Sequence, residues 1–206
     1  MIKEGIKAII FDYGGVLINI DYQATIDAFN VLGSLDFEEM YSQASQADLF
    51  NQFETGKISG QYFINQLLDY LPSGTSPNLV VNGWNEMIKD VPLDRIELLL
   101  RLKNEGYKVI LLSNTNELHI ELADRRWNSS YNQSPKEVFD AVYYSHEVKM
   151  RKPNKEIFEF VCREQQLNPS DFLFIDDSIQ HIEGAKSIGI NAILLEKDQS
   201  IHDIFS

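Results

Sequence analysis

Asp12, Ser113, Lys152 and the adjacent pair Asp176 and Asp177 are the side chains whose types could combine into one reaction centre. Carboxylates gathered at close range raise one another's pKa unless a cation neutralises them. A hard divalent cation such as Mg²⁺ answers that need, because it is held by one or two carboxylates together with phosphate oxygens and water. Lys152 can supply positive charge on another side, and Ser113 with the backbone amides after it can donate to phosphate oxygens. Brought together, these groups describe a site for a dianion beside a metal.

What must bring them together is a sheet. Apolar runs end in Asp12 (Ala8-Ile9-Ile10-Phe11), in Ser113-Asn114 (Val109-Ile110-Leu111-Leu112), in Ser145 (Ala141-Val142-Tyr143-Tyr144) and in Asp176-Asp177 (Phe172-Leu173-Phe174-Ile175). Runs that are apolar on both faces read as buried parallel strands, and the crevice of an open α/β sheet lies outside their carboxyl ends. After Pro92 the pattern alternates regularly. Helices are expected from about Ile96 to Gly106, from Asn116 to Arg126, from Pro153 to Gln165 and from His181 to Gly189, with a polar loop over 128–135 and a last strand over Ala192–Leu195. Such alternation gives an α/β doubly wound parallel sheet of Rossmann-like type. Between Asp21 and Lys89 the spacing is helical throughout, as at Ile26 and Phe29, at Phe37, Met40 and Tyr41, and at Phe63 and Leu67. Ser59 and Ser76-Pro77 read as helix starts. The expected division is therefore a sheet domain over 1–19 and 91–206 and a small helical cap over 20–90, inserted after strand 1 and above the crevice.

The chain has 206 residues, enough for one large domain or a domain with an insertion. Its 18 Lys and Arg against 31 Asp and Glu give a net charge of −13, which repels nucleic acid and anionic membrane surfaces. The acidity is read as a solvated surface. Cys162 is the single cysteine, so no internal disulfide forms, and its helical spacing marks it as a core thiol. With no apolar run of 18 residues and no secretory core at the N-terminus, a cytoplasmic protein is expected. Composition leaves the oligomeric state open.

Asp12-Tyr13-Gly14-Gly15-Val16, Ser113-Asn114, Arg151-Lys152-Pro153 and Asp176-Asp177 resemble, in order and spacing, the four motifs of the haloacid dehalogenase-like hydrolase superfamily, with the helical insertion in the place of that family's C1-type cap. Glu54-Thr55-Gly56-Lys57-Ile58-Ser59, Leu112-Ser113-Asn114-Thr115-Asn116 and Met150-Arg151-Lys152-Pro153 are similar to the sugar-phosphate phosphatases that include bacterial α-glucose-1-phosphatase. The resemblance implies an Mg²⁺-dependent phosphatase of a small phosphorylated metabolite, plausibly a hexose phosphate, working through an aspartyl-phosphate on Asp12. It implies that Ser113 binds the phosphoryl group and that Lys152 neutralises it and orients Asp12. Asp176 would hold Mg²⁺ with Asp12 and the carbonyl of Gly14, while Asp177 ligates through water or braces the site.

Gly14 departs from the usual pattern of that family, in which a second Asp two residues after the nucleophile serves as acid and base. General acid–base catalysis contributes about 10²–10⁴-fold, so three readings stay open. The chain is a phosphatase with another proton donor, for which His119, His181 and Glu54 are the candidates; or it is a metal-free 2-haloacid dehalogenase, a reading opposed by the adjacent Asp176-Asp177 and by the absence of Arg over 21–80; or it binds a phosphorylated ligand without turnover. His119 and His181 are expected on exposed helix faces, and Glu54 in a loop. Tyr13, Asn114 and Glu54 are the further substrate-binding candidates. Tyr22, Phe50, Phe53, Trp84 and Trp127 are aromatic residues near the crevice or cap, Asn116 reads as a helix cap, and Glu183 as a brace to the acidic pair or an exposed helical residue.

Overall fold

The computed structural model describes residues 4–34, Phe37 and 48–205. Among the described residues, strand β1 (Ala8–Phe11) is followed by helices α1 (Tyr22–Val31), α2 (Asp48–Glu54), α3 (Gly60–Leu68) and α4 (Pro77–Asn85). Alternation then runs through α5 (Leu93–Asn104), β2 (Lys108–Ser113), α6 (Glu117–Ser130), α7 (Pro135–Val138), β3 (Ala141–Tyr144), α8 (Ser145–Val148), α9 (Lys155–Gln165), β4 (Phe172–Asp176), α10 (Ile179–Ser187) and β5 (Asn191–Leu194). The strands form one parallel sheet in the order β3-β2-β1-β4-β5. Placing β1 at the centre, between β2 and β4, makes the ends of the three chemistry-bearing strands neighbours.

Alternating side chains of each central strand enter two different cores. Ile9, Phe11, Val109, Leu111, Leu173 and Ile175 face α5 and α6, where Leu99 and Trp127 cover them. Ala8, Ile10, Ile110, Leu112, Phe172 and Phe174 face α9 and α10, which contribute Phe158, Val161 and Ile182. Both faces are dry, which explains why these runs lack the apolar/polar alternation of a half-exposed strand. Cys162 belongs to the second core, and burial pushes its thiol up to about 11.

The helices between β1 and α5 close a third core of their own around Phe29, Phe53, Phe63 and Trp84, with Phe53 and Phe63 stacked at 4.2 Å. Asp21 caps α1 through the amides of Gln23 and Ala24, and Ser59 caps α3 through Tyr62 N. Of the helical pattern at Phe37, Met40 and Tyr41, only Phe37 lies within the described residues, and it stacks on Phe29. Two crossings join the third core to the sheet. Asn19 N donates to Asp90 O, Lys89 N donates to Asn19 O, and Ile20 bridges Ile88 beside them.

Several boundaries differ from the sequence expectation. The helix expected to stop at Arg126 runs on to Ser130, because Trp127 is wholly buried against Tyr13 and Phe139. The 128–135 loop is correspondingly short and leads into α7, whose Ser134-Glu137 capping box was not anticipated. His119, expected on an exposed face, is buried. Asn116 caps α6 by accepting from His119 N at 3.0 Å, and its Nδ2 lies 3.1 Å from His119 Nδ1. Donation by that amide leaves Nε2 to carry the proton, which it gives to Trp84 O at 3.1 Å while the ring stacks on the indole. His119 thus bolts α6 to the third core as a neutral ring.

Burial lowers the His119 pKa from 6.5 to about 4, against the small opposite pull of the Trp84 carbonyl. Between those values the unfolded chain binds more protons at this residue than the folded one, so stability falls as pH falls from about 6.5 towards 4. The loss reaches about 3 kcal/mol at the lower end. Urea titrations of wild type and His119→Gln over this range check it: the wild type should show the extra acid slope and the variant should lack it.

Candidate active site

Asp12 follows β1 directly, and its amide still bonds Ile175 O at 2.9 Å, so the sheet fixes its backbone. Its Oδ1 accepts from Tyr13 N at 2.7 Å and from Lys152 Nζ at 2.8 Å. Lys152 is fully buried, and the same ammonium lies 2.6 Å from Asp176 Oδ2. Burial alone would drive the Lys152 pKa down, but Asp12 and Asp176 reverse the effect and raise it. Burial likewise opposes the charge on Asp176, yet Lys152 and His181 hold its carboxyl well below the usual range. Asp12 moves the other way. Burial and the nearby Asp176 push it up, more than Lys152 pulls it back.

Both oxygens of Asp176 are engaged. Oδ1 accepts from Ser178 N at 2.8 Å and faces His181 Nδ1 at 2.9 Å, while Oδ2 faces Lys152. His181, expected on an exposed helix face, is turned inward by this pairing and is only 17% exposed. Asp177 faces the cavity instead. A Cβ on Gly15 would run into its Oδ2, and Gly15 has φ +75°, so this turn is closed to a side chain for two reasons. Burial and Asp176 raise the Asp177 pKa.

Ser113 ends β2 and is buried at the cavity wall. The neighbouring Asn114 uses its side chain on the backbone of Lys152, with Oδ1 accepting from Lys152 N and Nδ2 donating to Lys152 O, both at 2.9 Å. Its amide therefore positions the lysine; the substrate-binding role expected for it leaves out this use. Tyr13 is buried, with its ring against Trp127. Glu54 is not in a loop but is the last residue of α2, where its Oε2 lies 3.1 Å from Arg151 Nη2. Arg151 Nη1 donates to Asn51 on the same helix, and Lys149 Nζ donates to Gly56 O at 2.8 Å. Arg151 and Asn51 had no special place in the sequence reading; the sole signal for Arg151 was its position next to Lys152.

These residues enclose a cavity of about 330 Å³ between the strand ends and the inserted helices. Asp12, Gly14, Ser113, Asp177 and His181 line the sheet side. Tyr22, Phe50, Asn51, Glu54 and Trp84 line the other, with Arg151 between them. Phe53 stays in the third core, Trp127 behind Tyr13, and Glu183 is exposed on α10 away from the cavity. Residue 14 has no side chain, and the space where one would begin holds Ile20, whose Cγ1 would stand 3.0 Å from an added Cβ.

Three carboxylates against one buried ammonium leave the strand ends with excess negative charge, which adds to burial in raising Asp12 and Asp177. Oxygen donors at Asp12, Asp177 and the backbone of Gly14 fit a hard divalent cation. Ligand atoms of Asp12, Asp176 and His181 also lie within 4.8 Å of one another, but Lys152 Nζ already lies between the first two.

The haloacid dehalogenase-like hydrolase family matches residues 6–189. The chain is 32% identical over 184 residues to the D-ribitol-5-phosphate phosphatase of Bacteroides thetaiotaomicron, covering 89% of each protein. A HAD family enzyme of the same organism, solved in complex with magnesium and inorganic phosphate, is similar at a TM-score of 0.90 and 31% identity, over 98% of this chain and 100% of that one. A HAD-like family hydrolase of Porphyromonas gingivalis is similar at a TM-score of 0.86 and 28% identity, over 97% and 96% of the two chains. The chain belongs to the haloacid dehalogenase-like hydrolase family.

Proposed function

We propose that this protein hydrolyses the phosphate ester of a small sugar or polyol, with Asp12 as nucleophile and residues 20–90 acting as the cap that selects the substrate. It is an Mg²⁺-dependent phosphatase of small phosphorylated metabolites. The observation that carries the residue assignment is the triangle of Asp12, Lys152 and Asp176, which holds a carboxylate oxygen of Asp12 in place at the floor of the cavity.

Asp12 Oδ1 is committed to Lys152 and Tyr13 N, which leaves Oδ2 for attack on phosphorus. Asp12, Asp177 and the carbonyl of Gly14 would hold the cation. Asp176, with both oxygens in use, holds Lys152 and takes no direct place among them, so the two acidic residues exchange the roles that the family resemblance implied. When bound, Mg²⁺ shields the nucleophile from the charge of the phosphate and polarises a phosphoryl oxygen. Ser113 donates to a remaining phosphoryl oxygen as charge develops.

The other half of the cavity combines the polar groups of Asn51, Glu54 and Arg151 with apolar surface from Ile20, Phe50 and Trp84. Such a mixed wall suits a short hydroxylated chain. The charge balance speaks against metal-free dehalogenation, since nothing in that reaction offsets three gathered carboxylates. Among the described residues no helix is long and apolar enough to cross a membrane, and a single buried thiol fits a cytoplasmic setting.

Phosphate release should require Mg²⁺, fall to background with a chelator and vanish in Asp12→Asn, as a colorimetric phosphate assay across sugar, polyol, nucleotide and aryl phosphates would show. Wild-type turnover by Asp12→Asn would sink the nucleophile assignment. Lys152→Met leaves Asp176 buried without its cation and should cost about 3–5 kcal/mol of stability in urea titrations, together with loss of turnover.

A further inference from the structure

Cleavage of an alkyl phosphate releases a strongly basic oxygen on the face of phosphorus opposite the attacking group, so a proton must be delivered on the side of the cavity away from Asp12. That side is built by the inserted helices. On the sheet side, Asp12 attacks, Asp177 faces the cation, and His181 is turned onto Asp176. His119 has both ring nitrogens engaged. On the helical side the titratable side chains of the described lining are Tyr22, which is 58% exposed at the rim, and Glu54.

Glu54 is held for such a task. Arg151 Nη2 takes its Oε2 at 3.1 Å, and Nη1 of the same guanidinium is anchored on Asn51, one turn earlier on α2. The next residue in the chain is Lys152, fixed on Asp12. One dipeptide therefore sets the nucleophile and the cap carboxylate relative to each other. At residue 14, by contrast, there is no side chain, and an added Cβ would stand 3.0 Å from Ile20 Cγ1, so Ile20 would have to shift to admit one.

Resting on the reading of the protein as a phosphatase, we propose that Glu54 is its proton donor and acceptor. In the first step Asp12 Oδ2 forms a bond to phosphorus, the bond from phosphorus to the ester oxygen breaks, and the departing oxygen takes the proton of Glu54. In the second step Glu54, now a carboxylate beside Arg151, takes a proton from water as that water bonds to phosphorus. The bond between phosphorus and Asp12 breaks, inorganic phosphate leaves, and both residues return to their starting forms. Burial raises Glu54 above the ordinary carboxylate range, although Arg151 and Lys152 pull it back, and an arriving phosphate adds negative charge that strengthens its hold on the proton.

Rapid-quench measurement of phosphoenzyme formation with Mg²⁺ tests this in wild type, Glu54→Gln and Glu54→Asp, using a pentitol 5-phosphate and p-nitrophenyl phosphate. The nitrophenolate leaving group needs no proton. Glu54→Gln should therefore slow the first step on the alkyl ester by about 10²–10³-fold, change it on the aryl ester by about threefold or less, and accumulate phosphoenzyme there because the second step lacks its base. Equal losses on the two esters, or a raised KM with an unchanged first step on the alkyl ester, would overturn the proposal. If Glu54→Gln fails to fold by circular dichroism, Glu54→Asp decides: the shortened acid must slow the alkyl ester more than the aryl one. A wild type that forms no phosphoenzyme from either ester defeats the phosphatase reading itself, and this proposal with it.

Discussion

The site depends on one ammonium group buried between two carboxylates. Taking Lys152 out of water is costly, and its attraction to Asp12 and Asp176 compensates only because the geometry is short and the remaining lone pairs of Asp176 are filled by Ser178 N and His181. That requirement reaches far into the fold. Asp12 and Asp176 come from adjacent strands, β1 and β4, in fixed register, while Lys152 comes from the loop after α8, held by both amide atoms of Asn114 at the end of β2. Each of the three central strands thus contributes to placing one charge.

A centre of this kind is unsatisfied by itself. Lys152 settles Asp176 and one oxygen of Asp12, but burial and the neighbouring carboxylate of Asp176 still oppose the charges on Asp12 and Asp177. The imbalance supplies a place for a divalent cation and, through it, for a dianionic substrate. Gly15 leaves the backbone bare there, so that the carboxylate of Asp177 approaches it closely. The inserted helices add a boundary of different chemistry. They meet the sheet domain through Arg151 to Asn51 and Glu54, Lys149 to Gly56, and His119 to Trp84, with Leu118 packed against the third core.

The outline of this arrangement is legible in the residues. Unbroken apolar runs such as Ala8–Phe11 and Phe172–Ile175 mark strands buried on both faces, and a parallel sheet puts their terminal polar residues at one edge. Asp12, Ser113 and Asp176-Asp177 could therefore be assigned to a common crevice before any coordinates. The histidines were misplaced for a physical reason. A His on a helix with polar neighbours looks solvent-facing, and nothing local reveals that Trp84 lies over position 119 or that Asp176 lies beneath position 181. Glu54 was similarly assigned to a loop because Thr55-Gly56 follows it, whereas the packing of Phe50 and Phe53 carries α2 through to that residue.

By itself, then, the sequence determined the sheet, the helical insertion and the meeting of Asp12, Ser113 and Asp176-Asp177 at one edge, since these follow from hydrophobic periodicity and from residue type at strand ends. The tertiary structure alone decided how the two adjacent acidic residues divide their work. Asp176 is spent on Lys152 and His181, while Asp177 is left facing the cavity, because successive residues at a strand end point to opposite sides. It alone also brought Arg151 and Glu54 together, 97 positions apart in the chain, by docking one helix of the insertion onto the loop that carries the lysine.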